Sequence, residues 1–265
     1  MSKTIAICNK KGGVGKTATA VNLASALTRA NKKVLVLDLD SQHNATQILT
    51  PTGVKLTQTI SNLMENADEA NVSECIYTSE EGIDFIGSSS RLTNTEIAIA
   101  GASFRETILK RLLMDIEDNY DFIIIDCPPS VGLMTLNALS MADGVIVPIK
   151  SNDFSSLDGF ADLIKYIKIA QMQINPKLSV TGILLTYYSP TTNIAKLVCE
   201  KTESITSVPI LKTKIRLSTT VAETPAVRKT LFQYKPNNKA SVDYQELAKE
   251  VMELYGIKET ANGCG

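Results

Sequence analysis

Eight consecutive residues, Lys10-Lys11-Gly12-Gly13-Val14-Gly15-Lys16-Thr17, constrain this chain more than any other segment. The apolar run Thr4-Ile5-Ala6-Ile7-Cys8 leads into them, and a breaker-poor run from Ala18 to Ala30 follows. Strand, glycine-rich turn and helix, in that order, build a phosphate-binding loop. Glycines let backbone N–H groups turn inward onto phosphate oxygens, and the helix N-terminus adds its positive dipole. In that reading Gly12, Gly13, Val14, Gly15 and Ala18 line the cradle. Lys16 reaches the β- and γ-phosphates, and the Thr17 hydroxyl ligates Mg²⁺. The common pattern G-x-x-x-x-G-K-S/T is not met, because Lys10 stands where its first glycine belongs. The form present is K-G-G-x-G-K-S/T, with Lys11 ahead of the glycines.

Beyond the loop, strand-like and helix-like segments alternate. Strands are expected over 3–8, 34–39, 83–86, 121–126, 144–149 and 180–187, with a short one near 207–211. Helices are expected over 16–30, 57–65, 103–118, 132–141, 156–173, 191–205 and 239–255. This alternation predicts an α/β fold, a doubly wound, mostly parallel sheet with helices on both faces. Asp40 and Asp126 fall at the C-terminal ends of apolar strands, as does the loop after Cys8. Right-handed crossovers bring those ends to one edge, where ligands bind. The polar stretch 66–81 reads as a surface excursion. Residues 1–265 read as a single domain, with 260–265 as a disordered tail.

At 265 residues and 44% apolar content the chain can bury an ample core. Aromatic residues make up 5% and tryptophan is absent, so small aliphatic side chains must fill the interior. A net charge of −1 excludes a general polycation, and any nucleic-acid surface must be a local patch. The five cysteines, Cys8, Cys75, Cys127, Cys199 and Cys264, include no C-x-x-C pair. They read as free thiols in a reducing compartment. No apolar run approaches the ~18 residues of a transmembrane helix. The lone His43 reads as a loop residue, not a metal ligand.

Three further segments join the loop in carrying a resemblance. Val34-Leu35-Val36-Leu37-Asp38-Leu39-Asp40-Ser41-Gln42-His43-Asn44-Ala45-Thr46 is similar to a motif D-x-D-P-Q-x-N-A-T. Phe122-Ile123-Ile124-Ile125-Asp126-Cys127-Pro128-Pro129-Ser130 resembles a Walker B strand ending in D-x-P-P-S. Thr135-Leu136-Asn137-Ala138-Leu139 and then Val145-Ile146-Val147-Pro148 resemble T-L-N-A-L and V-V-P-V. Together, in this order, they resemble the ParA/Soj partition ATPases of the deviant Walker A group that also holds MinD. The resemblance implies a Mg²⁺-dependent ATPase with ATP and Mg²⁺ as cofactors. It implies that Lys11 points away from its own fold and crosses to a partner's nucleotide, that Lys16 neutralises phosphate charge, and that Asp40 lies near the attacking water. Asp126 would hold Mg²⁺ through water, with Thr17 and Asp38 nearer the metal. Asp38 and Asp40 are expected to leave opposite faces of their strand and so to do different work. ATP would drive homodimerisation, the dimer would bind DNA non-specifically, and a ParB-type centromere-binding protein would trigger hydrolysis. The protein would be cytoplasmic and nucleoid-associated when ATP-bound.

The chain departs from the family at several points. Ala18 replaces a second threonine, and Ser41 replaces the proline after Asp40. The segment I-P-R-N-V-R-L reads Leu211-Lys212-Thr213-Lys214-Ile215-Arg216-Leu217. Even so, residues 211–240 hold Lys212, Lys214, Arg216, Arg228, Lys229, Lys235 and Lys239 against Glu223 alone. The first six are the candidate DNA contacts, and the retained I-R-L triplet makes Arg216 the centre of the expected strip. The competing class is a MinD-like ATPase that positions complexes on membranes through a basic amphipathic helix. The segment Val242 to Tyr255 carries Asp243, Glu246, Glu250 and Glu253 against Lys249, a poor lipid-binding face. Its Leu247, Val251 and Leu254 are expected to pack on the core, and no membrane association is expected. The loop begins at residue 10 of this sequence, and sequence-specific operator binding is not expected.

Overall fold

The computed structural model describes residues 2–258; the expected tail, 260–265, lies outside them. Its strands are β1 (Lys3–Ile7), β2 (Val34–Asp38), β3 (Ile76–Thr78), β4 (Asp84–Ile86), β5 (Phe122–Asp126), β6 (Gly144–Lys150) and β7 (Ser179–Thr186). They form one sheet in the order β3-β4-β2-β5-β1-β6-β7. Only the β3–β4 pair is antiparallel. β5 pairs Asp126 with Ile7 on one side and with Asp38 on the other. Three central strands therefore end level, and the loops after them open onto one edge.

Eleven α-helices are described: α1 (Lys16–Arg29), α2 (Asn44–Leu49), α3 (Ile60–Glu65), α4 (Leu92–Ala98), α5 (Ile108–Leu113), α6 (Leu133–Met141), α7 (Phe160–Gln173), α8 (Asn193–Ile205), α9 (Thr219–Val227), α10 (Leu231–Tyr234) and α11 (Lys239–Leu254). Strand alternation sorts the core into two layers. Ile5, Ile7, Val34, Val36 and Ile124 face α1, α2, α10 and α11. Ala6, Leu35, Leu37, Ile123 and Ile125 face α3 to α8. Helices thus cover both faces, as the near-continuous apolar strands require.

The doubly wound parallel sheet matches the expectation, and its boundaries differ where local chemistry intervenes. The helix expected over 103–118 is broken into a 3-10 turn at Arg105–Thr107, the short α5, and a second 3-10 turn at Glu117–Asn119. Phe104, at φ 53°, caps the first turn in the left-handed region. α3 starts at Ile60, where Thr59 and Asn62 form a reciprocal capping box. The 66–81 excursion is not merely surface loop, because it contributes the edge strand β3. The strand expected near 207–211 is reduced to the single bridge Ile183–Ile210. Leu254 stays 54% exposed, so only Leu247 and Val251 of the expected α11 trio pack inward.

Candidate phosphate-binding and metal site

β1 ends at Ile7, and α1 begins at Lys16 with Gly15 as its N-cap. Gly13 and Gly15 adopt φ of 71° and 92°, a region open to glycine at little cost. Side chains clamp both ends of the turn. Asn9 Nδ2 donates to the Pro148 carbonyl at 2.7 Å, and Asn9 Oδ1 accepts from Lys11 N at 2.9 Å. Thr186 Oγ1 donates to the Val14 carbonyl at 2.8 Å. Val14 is buried while Gly12 and Gly13 are exposed. Thr17 and Ala18 open the first turn of α1, half-buried. A further hollow beside the loop takes in Gly15, Ala18, Tyr187 and Tyr244.

Four charged side chains converge beneath this turn. Lys16 is 7% exposed, and its Nζ donates to the Lys11 carbonyl at 3.0 Å. Burial pulls its pKa down, and Asp126, then Asp40, pull it back up. Asp126 is buried, and neither of its carboxylate oxygens has a hydrogen-bond partner. Burial and the facing Asp38 push its carboxyl well above the usual carboxylate range; the nearby Thr17 hydroxyl and Lys16 oppose that. Two buried oxygens without donors, beside a threonine hydroxyl, suit a hard cation such as Mg²⁺.

Asp38 and Asp40 do not diverge as expected. Residues two apart on extended chain share a side, and β2 ends at Asp38, so Asp40 stands in the turn beyond. Asp38 Oδ1 accepts from Asp40 N at 3.1 Å. Its Oδ2 accepts from Thr46 N at 2.9 Å and Thr46 Oγ1 at 2.7 Å. Burial raises the Asp38 pKa to about 6 despite those bonds. Its oxygens are already engaged, so Asp38 holds the β2–α2 turn and leaves Asp126 as the carboxylate with unspent capacity. Asp40 Oδ1 accepts from Gln42 N at 2.9 Å.

Lys11 does not point away from its own fold here. Its Nζ donates to the Ser155 carbonyl at 3.1 Å and also to the Ser155 hydroxyl. Sequence reasoning missed Ser155, which carries no motif. It also missed Asn9 and Thr186; Thr46 was visible as the last residue of its motif, without a role.

The basic candidates divide by environment. Arg216 is committed within the chain. Its Nε donates to Asp243 Oδ1 at 2.9 Å, its Nη2 lies 2.7 Å from the same atom, and Nη2 also donates to the Lys239 carbonyl. Lys235 lies 3.4 Å from Glu223, over the Tyr234 ring. Lys214 lies over the Tyr188 ring, and Lys212 is exposed. Arg228 and Lys229 are exposed and line a cavity of about 530 Å³ that also takes in Thr46, Lys55 and Glu81.

A glycine-rich strand-to-helix turn over a buried lysine and aspartate, at the C-terminal edge of a parallel sheet, defines a phosphate-loop nucleotide-binding protein. Comparison with known proteins agrees. The AAA domain family matches residues 2–180. The sporulation initiation inhibitor protein Soj of Bacillus subtilis is 37% identical over 95% of this chain and 98% of its own length. The chromosome-partitioning ATPase Soj of Thermus thermophilus is 35% identical over 94% of this chain and 95% of its own. Among solved structures, a cobyrinic acid a,c-diamide synthase from Mycobacterium smegmatis with bound ADP and magnesium superposes with a TM-score of 0.85. It is 28% identical and covers 97% of this chain and 96% of that one. The chain belongs to the ParA/Soj family of partition ATPases.

Proposed function

We propose that this protein is an ATP-dependent DNA partition ATPase that dimerises on ATP, binds DNA without sequence preference and is reset when a ParB-type partner stimulates hydrolysis. The observation that carries the ATPase reading is Asp126, a buried carboxylate with two unpartnered oxygens beside Lys16 and the glycine turn. Kinship with the Soj proteins supports the partition role.

The residues divide the work. Backbone N–H groups of Gly12 to Ala18 receive the phosphates, and Lys16 exchanges the Lys11 carbonyl for phosphate oxygen. Thr17 and Asp126 would hold Mg²⁺, which when bound neutralises charge on the β- and γ-phosphates. Asp40 orients the attacking water, and Asp38 fixes the turn that presents Asp40. Lys11 leaves Ser155 and reaches the nucleotide of a second copy. Lys212, Lys214, Arg228, Lys229 and Lys235 meet DNA phosphates, while Arg216 supports them through Asp243. Pairing two such surfaces in the dimer roughly doubles the counterions released and steepens the salt dependence.

Co-sedimentation with arbitrary duplex DNA, with and without Mg-ATP, tests the reading. ATP-dependent pelleting is expected. Hydrolysis without DNA binding at any salt concentration would transfer the assignment to a MinD-like positioning ATPase.

A further inference from the structure

Cys8 and Cys127 lie one residue beyond the paired strand ends Ile7 and Asp126. Their Sγ atoms are 2.9 Å apart, and each thiol is 1% exposed. They face the same core layer. Neighbouring strands run about 4.8 Å apart, inside the Cα separation a disulfide spans, and the sulfur bond itself needs about 2.05 Å. Little backbone movement therefore separates the thiol pair from a disulfide. Of the remaining described cysteines, Cys75 is buried and Cys199 half-buried, and both are far along the chain from this pair.

The positions give such a bond leverage. Cys8 precedes Asn9, whose side chain anchors the phosphate loop at Pro148 and Lys11. Cys127 follows Asp126 and leads into Pro128-Pro129-Ser130. We propose that Cys8 and Cys127 form a modification site, a dithiol that a small hydroperoxide oxidises to a reversible disulfide, arresting the site above it. One sulfur attacks a peroxide oxygen, the O–O bond breaks, and the thiol proton leaves with the departing oxygen as water. The sulfenic acid so formed is attacked by the second sulfur, whose proton departs with the hydroxyl as a second water. Two thiols and one hydrogen peroxide give one disulfide and two waters. Burial admits only a small oxidant and makes the first step slow; adjacency makes the second fast. Closing the sulfurs from 2.9 Å to about 2.05 Å ties the root of the phosphate loop to the root of Asp126, and a cross-link there restrains the small adjustments that in-line positioning needs.

The arrest rests on the ATPase reading, whereas the cross-link does not. The nucleotide-free full chain is treated with hydrogen peroxide, blocked with N-ethylmaleimide and mapped by mass spectrometry without reduction. A Cys8–Cys127 linked peptide is expected, with ATP turnover lowered more than tenfold and both changes reversed by dithiothreitol. Cys8→Ala is expected to keep its turnover through the same treatment. No Cys8–Cys127 link, irreversible sulfinic acid at Cys127, or a link with unchanged turnover overturns the proposal. Should the reduced protein fail to hydrolyse ATP, the proposed function falls, and the peptide map still decides the modification site.

Discussion

At the scale of residues, the site is an exercise in buried charge. In the proposed function Lys16 leaves the Lys11 carbonyl for phosphate, so Lys16→Ala is expected to weaken ATP binding at least tenfold, about 1.4 kcal/mol, as titration calorimetry would measure. Asp126 makes a prediction of opposite sign. Its carboxyl holds a proton more tightly in the fold than in the unfolded chain, because burial and Asp38 disfavour its charge. The stability this lends is complete below the unfolded value near 4 and is lost as pH rises above it. Asp126→Asn should therefore raise the melting temperature of the nucleotide-free protein at neutral pH by about 3–8 °C, on a penalty of about 1–3 kcal/mol. The gain should shrink towards pH ~5, and the variant should lose Mg-dependent stabilisation by ATP. That the glycines, Lys16, Asp40 and Asp126 meet at one sheet edge was legible in the sequence, because motif spacing puts each just at or beyond a strand end. Ser155 and Asn9 were not, since their bonds to the phosphate loop span a fold-dependent distance or a turn whose shape composition does not encode. Arg216 keeps its triplet, but the triplet gives no sign that Asp243 engages its guanidinium.

At the scale of elements, β1, β2, β5 and β6 and helices α1, α6 and α7 could be read from apolar runs and helical period. Three others could not. α9 contains Pro225, which interrupts a helical reading, while α10 has 4 residues and β3 has 3, too brief for a period to register. α2 was hidden because its residues were read as motif. Its Thr46 grips Asp38 and is itself held by Ser88 N at 2.8 Å. Thr46→Val keeps the shape and removes the hydroxyl. It is expected to slow ATP turnover at least tenfold while leaving ATP affinity within about threefold, because it loosens the turn presenting Asp40 rather than the phosphate cradle. Steady-state kinetics beside calorimetry separates the two, and an equal loss in both would assign Thr46 to nucleotide binding instead.

At the scale of the whole molecule, the proposed function asks one nucleotide to control assembly and DNA capture together. Lys11→Ala is expected to spare ATP binding by the monomer and to abolish ATP-dependent dimerisation. Asp40→Ala is expected to leave a dimer that persists in ATP. Light scattering after size-exclusion chromatography distinguishes them, and a monomeric Asp40→Ala protein in ATP would contradict its assignment. In that persistent dimer, Lys212→Glu with Lys214→Glu should weaken binding to arbitrary duplex DNA and flatten the salt dependence. Each DNA phosphate left without its lysine lowers the logarithmic slope by about 0.9. Fluorescence anisotropy at two salt concentrations reads both. Arg216→Glu is a poorer test, since it sets like charges against each other at Asp243, which is only 8% exposed.

The segment from Pro209 to Leu217 runs beside β7 without becoming a strand. Leu211 N donates to Ile183 O and Ile215 N to Leu185 O, while Glu250 takes the amides of Lys212 and Thr213. Leu211 lies so close over Gly182 that a Cβ there would fall 2.6 Å from its Cδ2. This strap occupies the ladder groups that β7 would otherwise present to a neighbouring molecule. The lysines that would draw the protein onto DNA thus ride on the piece that keeps copies from fusing sheet to sheet. A protein concentrated along a nucleic-acid track would risk edge-to-edge aggregation, and here the β7 edge is covered by the same segment that carries the proposed DNA contacts.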